Sequence, residues 1–174
     1  MRPQSSGPVL FLDYDGCLQA DAVYRIKGQI VMMSEGRSLF EWAPVLQQLI
    51  EPYPQLQVVL STTWVRVLGF DVAKAWLPEA LQRQVIGATW HNSLRAEQFQ
   101  YWTRHDQILN YVRRHNLQRW LALDDNAKGW AQKHIQHLVH TDSVLGLSDV
   151  AKQLEMAEKL ALLVGEGPKM GERK

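Results

Sequence analysis

Short apolar runs alternate with longer segments of helical periodicity along this chain. Runs of strand length and composition are Val9–Asp13, Leu56–Leu60, Val85–Gly87, Trp120–Leu123 and Leu138–His140. Most of these runs are continuously apolar and do not alternate with polar residues, as a strand with one solvent-exposed face would. Continuous apolar runs are typical of strands that are buried on both faces of a parallel sheet. Alternation of such strands with helices predicts an α/β fold with right-handed crossovers.

Two amphipathic segments predict helices in the first half of the chain. Ser38 and Glu41 form a candidate capping box, which predicts a helix that begins at Ser38; Pro44 is the alternative marker of its first turn. A second helix is predicted over Val65–Leu77, where Pro78 ends it. Each of these segments follows a predicted strand, as a crossover helix would.

Two further helices are predicted in the second half. Thr103, with Asp106 as its capping partner, begins one of them. Ser148 begins the last, and Val150 and Leu154 belong to the apolar stripe that we expect to face the core. The spacing of that stripe matches one side of a helix.

A short hairpin is predicted directly after the first strand. Residues Ala22–Ile26 and Gln29–Met32 are strand-like, and Lys27-Gly28 between them fits a tight turn. The hairpin would sit beside the carboxyl end of the first strand, where we expect it to act as a small flap.

Composition narrows the class of protein. The chain has 174 residues, 46% of them hydrophobic and 21% charged, with a formal net charge of +1. The near-neutral charge gives no global field for nucleic acid or membrane. Cys17 is the single cysteine, so an internal disulfide is excluded and a reducing cytoplasm is expected. We see no signal-peptide pattern and no apolar run of membrane-spanning length. We expect one domain over residues 9–164, with a loose lead-in at 1–8 and a flexible polar tail at 165–174.

The sequence Asp13-Tyr14-Asp15-Gly16 is the first candidate for chemistry. In a strand the side chains of Asp13 and Asp15 can project the same way, and Gly16 lets the chain turn without a Cβ penalty. Two carboxylates this close repel each other, which is costly unless a cation lies between them or one of them is protonated. Oxygen ligands of this kind favour a hard divalent metal, with Mg²⁺ the best fit.

Polar residues follow three of the predicted parallel strands. They are Asp13 and Asp15 after the first strand, Ser61 and Thr62 after the second, and Asp124 and Asp125 after the fourth. Because the carboxyl ends of parallel strands share one edge of the sheet, these side chains are expected to converge. Carboxylates, hydroxyls and a metal together supply the parts that phosphoryl transfer needs.

The chain resembles the haloacid dehalogenase (HAD) superfamily, and within it the small HAD domains of Swiss army knife RNA repair proteins. The resemblance rests on Asp13-Tyr14-Asp15-Gly16, on Val59-Leu60-Ser61-Thr62-Thr63-Trp64 and on Trp120-Leu121-Ala122-Leu123-Asp124-Asp125, supported by Glu41-Trp42-Ala43-Pro44. These stand in the order of motifs I, II and IV of the superfamily, over about Val9 to Val150. The resemblance implies a Rossmann-like, five-stranded parallel sheet with helices on both faces and a minimal cap, the hairpin flap.

The resemblance also implies residue roles. Asp13 would be the nucleophile and a Mg²⁺ ligand, and Asp15 the general acid and base with its backbone carbonyl on the metal. Ser61 would donate to a phosphoryl oxygen, with Thr62 as the alternative if the register shifts by one residue. Asp125 would be the direct carboxylate ligand, and Asp124 a ligand or its support.

The basic residue of motif III is the least determined part of the pattern. The superfamily places a Lys or Arg at the start of the helix before the motif IV strand. Arg104 directly follows Thr103 and would lie in the first helical turn, from which a guanidinium can reach phosphate oxygens. Arg95 and Lys74 are the alternatives, and a solvated surface arginine is the structural alternative for Arg104.

The function expected from the resemblance is a Mg²⁺-dependent hydrolase of phosphoric monoesters that works through an aspartyl-phosphate. The substrate class would be a phosphorylated small molecule, a nucleotide or a nucleic-acid end, with no membrane partner; a protein partner is not indicated. Two alternatives stay open: a non-enzymatic HAD-like module that binds a phosphorylated ligand or a protein, and a response-regulator receiver domain.

Histidine spacing offers a weaker metal pattern. His134, His137 and His140 recur every three residues, but Leu138–His140 is predicted as strand, which breaks a shared helical face. We therefore expect no zinc site there. Trp64 lies at the expected active edge and is a candidate substrate contact, although tryptophan packing is the commoner role.

Overall fold

The computed structural model describes residues 7–91 and 96–165. The strands are β1 Val9–Leu12, β2 Val23–Ile26, β3 Gln29–Met32, β4 Gln57–Leu60, β5 Val85–Ala88, β6 Trp120–Asp124 and β7 Leu138–His140. The α-helices are α1 Ala43–Ile50, α2 Thr63–Leu68, α3 Phe70–Ala75, α4 Glu79–Gln82, α5 Ala96–Phe99, α6 Arg104–His115 and α7 Val150–Val164. Short 3₁₀ turns cover Gln132–His137 and Gly146–Ser148.

Five strands form one parallel sheet in the order β5-β4-β1-β6-β7. The first strand in the chain is therefore the central strand of the sheet. The strands β2 and β3 pair antiparallel as a separate hairpin. The predicted α/β fold, its five parallel strands and the hairpin are all confirmed.

The central strand is apolar throughout because both of its faces are covered. Leu10 and Leu12 pack on the side that holds α1 and α7, whereas Val9 and Phe11 pack on the side that holds α6. All four residues are fully buried. Helices on both faces of the sheet are therefore confirmed.

The first helix begins later than its capping box predicts. It starts at Ala43, with Pro44 in its first turn. Phe40 has a φ of 55°, a left-handed backbone that interrupts any helix from Ser38. The start at Ser38 is wrong because the ring of Phe40 is inserted among Tyr14, Trp64 and Trp76. The alternative, a first turn marked by Pro44, is confirmed.

The predicted helix over Val65–Leu77 is two helices. Gly69 has a φ of 88°, and it separates α2 from α3. The prediction of one continuous helix is wrong, since apolar spacing does not reveal this turn. The break gives α2 its own direction over the carboxyl edge of the sheet.

The last helix is capped by Asp149, whose side chain accepts a hydrogen bond from the backbone N–H of Ala151. Its buried residues are Met156 and Leu160, whereas Val150 and Leu154 are 65% and 63% exposed. The predicted inward stripe is wrong at these two positions. Met156 and Leu160 lie on a different side of the helix, and that side packs against α1 and the sheet.

No helix in the described part of the chain combines the length and the apolar character that a membrane crossing requires. The predicted lead-in and polar tail fall largely on residues 1–6 and 166–174, which lie outside the described residues. The extent of the single domain, residues 9–164, stays a prediction.

Candidate active site

In the loop after β1, Asp13 and Tyr14 point in different directions. Asp13, 5% exposed, faces the carboxyl edge of the sheet, and its Oδ1 accepts the backbone N–H of Tyr14 at 2.8 Å. The Tyr14 ring points into the core, where its hydroxyl donates to the carbonyl of Ala73 at 2.9 Å. The buried tyrosine anchors the loop, so the carboxylate before it has a fixed position.

Three carboxylates converge at this edge. Oxygen atoms of Asp13, Asp124 and Asp125 all lie within 4.8 Å of one another. Asp13 follows β1, Asp124 ends β6, and the two strands are neighbours, so their pairing creates the cluster. Asp15 is not part of this group.

Gly16 makes room for the cluster. A Cβ on this residue would lie 2.2 Å from Oδ2 of Asp125, and its φ of +72° is one that L side chains rarely adopt. The hydroxyl of Thr141 donates to the carbonyl of Gly16 at 2.7 Å and holds this turn against the end of β7. Any side chain at position 16 would displace the carboxylate.

Burial and mutual repulsion raise the pKa values of the carboxyl groups in this cluster. Burial, followed by the charge of Asp13, raises the pKa of Asp124 well above its usual range. Burial, Asp13 and Asp21 raise the pKa of Asp125 to about 7. At both groups, burial and the charge of Asp13 outweigh the opposing charge of Arg104.

Arg104 is the cation nearest to the cluster. Its Nη2 lies 3.3 Å from Asp13 Oδ2, and its Nε lies 3.0 Å from Asp124 Oδ2. The second contact is an ion pair that lacks hydrogen-bond alignment, since neither atom has a hydrogen-bond partner among the described residues. Burial acts to lower the pKa of Arg104, but the two carboxylates outweigh it and raise the pKa, so the side chain stays charged.

The first turn of α6 delivers that arginine. Thr103 caps the helix: its hydroxyl oxygen accepts the N–H of Asp106, and the Asp106 carboxylate accepts the N–H of Thr103 in return. The predicted capping pair is confirmed, and it fixes Arg104 as the first residue of the helix. Lys74 lies on α3 over the ring of Phe70, and Arg95 lies outside the described residues.

Asp15 occupies a different environment beside the cluster. Its Oδ1 accepts a hydrogen bond from Gln19 Nε2 at 2.7 Å, and its Oδ2 accepts one from Trp64 Nε1 at 2.9 Å. Burial raises the pKa of Asp15, while these two donors act against the shift. The carboxyl group is thus held on both of its oxygens.

Ser61 and Thr62 both lie at the end of β4. The Ser61 hydroxyl is buried and has no hydrogen-bond partner among the described residues. Thr62 caps α2 through a bond from the N–H of Trp64, and its side chain also hydrogen-bonds to Asp13. An unpartnered buried hydroxyl costs about 1–3 kcal/mol, so Ser61 fits a donor that awaits a ligand, whereas Thr62 is already engaged.

A cleft opens next to Asp15, between the hairpin and α2. We call it the hairpin cleft; its volume is about 170 Å³. Asp15 and Trp64 line it together with Val23, Tyr24, Arg25, Ile30, Thr63, Val67 and Leu68. A group bound in this cleft would lie next to the Asp15 carboxyl and would be surrounded mostly by apolar side chains.

Several residues of this site escaped the sequence analysis. Gln19, Asp21 and Thr141 belong to no recognised motif, yet they bond to Asp15, raise the pKa of Asp125 and fix Gly16, respectively. The sequence carries a signal for only one of these contacts: Gln19 follows Asp15 by four residues. Trp64, a candidate substrate contact, bonds to Asp15, and its contact with a substrate stays a prediction.

The thiol and two of the histidines are engaged in packing or in hydrogen bonds to the backbone. Cys17 is buried, and its burial and Asp13 raise the pKa of the thiol well above 9.0, so it packs as predicted. His137 and His140 bond to the backbone carbonyls of Trp120 and Asp125. Within residues 7–91 and 96–165, the three histidines form no metal-ligand group.

The donor set fits a hard divalent cation. Three carboxylates face one guanidinium, Asp124 keeps a buried oxygen without a hydrogen bond, and all the candidate ligands are oxygen atoms. Such donors suit Mg²⁺ and do not suit soft metals. Asp13, Asp124 and Asp125 are therefore the residues that could hold one.

Comparison with known families agrees with this geometry. The family model described as the HAD domain in Swiss Army Knife RNA repair proteins matches residues 9–151. That range includes every side chain of the candidate site. No curated protein and no solved structure gives a significant match.

Proposed function

The chain belongs to the family of HAD domains in Swiss Army Knife RNA repair proteins, and from this membership we propose that it is a Mg²⁺-dependent phosphatase. Membership indicates a HAD-type hydrolase in general. The phosphomonoester substrate, the metal and the reaction path are our proposal. One observation supports it above the others: Asp13, Asp124 and Asp125 converge around Arg104 at the carboxyl edge of the sheet.

Asp13 is the nucleophile in this proposal. One of its carboxylate oxygens attacks phosphorus, and the bond from phosphorus to the leaving-group oxygen breaks, which gives an aspartyl-phosphate. The hydrogen bond from Tyr14 N–H fixes the other oxygen, Oδ1, so that Oδ2 faces Arg104 and the site. Arg104 balances charge on the phosphoryl oxygens, to which the unpartnered Ser61 hydroxyl also donates.

Asp15 moves the protons. It gives its proton to the leaving-group oxygen as that bond breaks, and its raised pKa favours the protonated form needed for this step. A water molecule then attacks phosphorus, and Asp15 takes a proton from it. The bond to Asp13 breaks, inorganic phosphate leaves, and both aspartates return to their starting states.

A Mg²⁺ ion held by Asp13, Asp124 and Asp125 would neutralise negative charge on the phosphoryl group. The backbone carbonyl of Asp15 would complete the protein ligands. The raised pKa values of Asp124 and Asp125 are the electrostatic counterpart of this role, since a cation there would restore their ionised forms.

We propose a nucleotide or polynucleotide end as the substrate class, because the family is named for RNA repair proteins. The hairpin is a two-stranded unit and not a second domain, which supports a site that admits a large substrate. The single cysteine is compatible with work in a reducing cytoplasm.

The test is hydrolysis of an aryl phosphate with and without Mg²⁺, by the wild type and by Asp13→Asn. We expect Mg²⁺-dependent turnover by the wild type and loss of more than about a thousandfold in the variant, since the nucleophile is gone. Asp71→Asn makes the same chemical change at an exposed position on α3; it is the matched control and should retain activity. Mg²⁺ binding without turnover would contradict the proposal in favour of a binding module.

A further inference from the structure

The carboxyl group of Asp15 is held at both of its oxygen atoms. Each of its oxygens accepts one N–H hydrogen bond, from Gln19 at 2.7 Å and from Trp64 at 2.9 Å. A carboxyl torsion is otherwise soft, with broad, roughly two-fold minima. Two donors on opposite oxygens remove this freedom.

Gln19 can hold Asp15 in one orientation only. Its side chain is fully buried, and its Oε1 accepts the backbone N–H of Phe40 at 2.8 Å while its Nε2 donates to Asp15. Its backbone carbonyl also accepts the N–H of Gly16 at 2.8 Å. An amide flip would break both side-chain bonds, so the donor direction is fixed.

Trp64 is fixed by packing. Its indole contacts the rings of Tyr14, Phe40 and Trp76, at centroid distances of 5.6, 5.3 and 5.5 Å. The residue is 6% exposed and lies in the first turn of α2. Its N–H therefore points at Asp15 from a rigid aromatic cluster.

The hairpin cleft lies next to the held carboxyl group. Asp15 and Trp64 both line it, so a leaving group that occupies the cleft has its oxygen next to the held carboxyl. Each carboxyl oxygen has two lone-pair directions, of which the N–H donors take one. The acidic proton is then confined to the remaining directions.

We propose that Trp64 and Gln19 are positioning residues that aim the Asp15 carboxyl at the leaving-group oxygen of a phosphomonoester in the hairpin cleft. This inference rests on the proposed function. The proton passes from Asp15 to the leaving oxygen as the phosphorus–oxygen bond breaks. The carboxylate that results keeps both N–H donors, which stabilise its new charge.

The main test compares leaving groups that differ in their need for an acid. Para-nitrophenyl phosphate has a good leaving group that departs without a proton, whereas benzyl phosphate has a poor one of similar size. We expect Trp64→Phe to lower kcat/KM by at least about tenfold for benzyl phosphate and by less than about threefold for para-nitrophenyl phosphate. Phenylalanine keeps the ring packing and removes the N–H donor.

Trp76→Phe is the matched control. Trp76 belongs to the same aromatic cluster, in contact with Trp64, but the side chain makes no hydrogen bond to Asp15. We expect this variant to change kcat/KM for both substrates by the same factor. An equal loss for both substrates in Trp64→Phe would overturn the positioning role and leave a structural one.

A second measurement does not depend on turnover. In the ¹H–¹⁵N spectrum of the wild type, the indole signal that Trp64→Phe removes belongs to Trp64. We expect Asp15→Ala to move that signal upfield and to speed its exchange with solvent, because the hydrogen bond is lost. An unchanged signal would overturn the proposed contact.

These outcomes separate the inference from the proposed function. If the wild type hydrolyses neither substrate, the proposed function fails, and the indole signal alone decides whether Trp64 holds Asp15. If the wild type hydrolyses both substrates and Trp64→Phe loses both equally, the phosphatase stands and the positioning role is wrong.

Discussion

Gly16 lies between the two acidic residues of the first loop and the carboxylate of Asp125. Its positive φ and the 2.2 Å approach of Asp125 to a hypothetical Cβ make two separate demands on this position. The first demand concerns backbone strain and the second concerns the metal site. Experiment can separate the backbone demand from the metal-site demand, because Gly36 has a positive φ but no neighbour that a Cβ would meet.

We predict that Gly16→Ala weakens Mg²⁺ binding by at least about tenfold, because the new methyl group displaces Asp125. Gly36→Ala is the matched control: Gly36 has a similar φ of +73°, but nothing lies within 4 Å of a Cβ there. Thermal shift titrated with Mg²⁺ would measure both. Equal Mg²⁺ affinity in the two variants would contradict the role assigned to Gly16.

Arg104 shows how a single residue acquires a role from its partners. In the sequence it is one basic residue near several others. In the structure it is buried against Asp13 and Asp124, with contacts of 3.3 and 3.0 Å. Removal of one partner from a buried ion pair is expected to cost about 3–5 kcal/mol, so its substitutions test stability as much as activity.

At the scale of elements, α6 links a local capping motif to the site. The Thr103–Asp106 capping box sets where the helix begins, and the residue it places first is Arg104. The tip of this helix also lies against Gly129, where a Cβ would be 2.6 Å from the Thr103 methyl group. The start of α6 is therefore fixed from two sides.

We predict that Thr103→Ala lowers the free energy of unfolding by about 1 kcal/mol and also lowers kcat, because Arg104 loses its fixed position. Asp149→Ala removes the cap of α7, far along the chain from these carboxylates, and is the matched control. We expect a similar loss of stability there without a loss of kcat. Urea unfolding and steady-state kinetics on both variants would check this, and equal kinetics would count against the link.

The aromatic cluster of Tyr14, Phe40, Trp64 and Trp76 is the second element-scale device. It joins the loop after β1, the turn before α1 and the two helices α2 and α3. Trp64 of this cluster bonds to Asp15, so the contacts that pack the cluster also fix the position of the proposed acid.

For the whole molecule, the carboxylate cluster couples stability to pH and metal. The pKa of Asp125 is about 7 in the folded protein against a reference value of 3.8. The folded state therefore holds this proton more tightly than the unfolded state. Its contribution to stability is complete below about pH 4 and is lost as the pH rises through about 7.

We predict that the metal-free protein loses thermal stability between about pH 5 and about pH 8, and that Mg²⁺ restores it most strongly at the higher pH. The ion binds the ionised carboxylates, which prevail there, and stabilises the folded state by mass action. Asp125→Asn should flatten the pH dependence. A Mg²⁺ effect on the melting temperature that is the same at both pH values would contradict this coupling.

The sequence by itself determined the α/β architecture and most of the strands. Continuous apolar runs such as Val9–Leu12 are stable only when both faces are covered, so the local pattern already specifies a parallel sheet. Parallel strands then bring their carboxyl ends to one edge, which is why Asp13, Asp124 and Asp125 could be grouped before their distances were known.

The tertiary structure alone decided which side chains touch. Helical periodicity does not tell which apolar stripe of α7 is buried, nor that Phe40 leaves the first helix to join an aromatic cluster. The partners of Asp15 are of the same kind. Trp64 lies 49 residues after Asp15 in the chain and reaches it only because the start of α2 packs on the loop after β1. Gln19 lies in that loop, but its amide is oriented by the N–H of Phe40, 21 residues further along. Non-local packing of this kind leaves no period in the sequence.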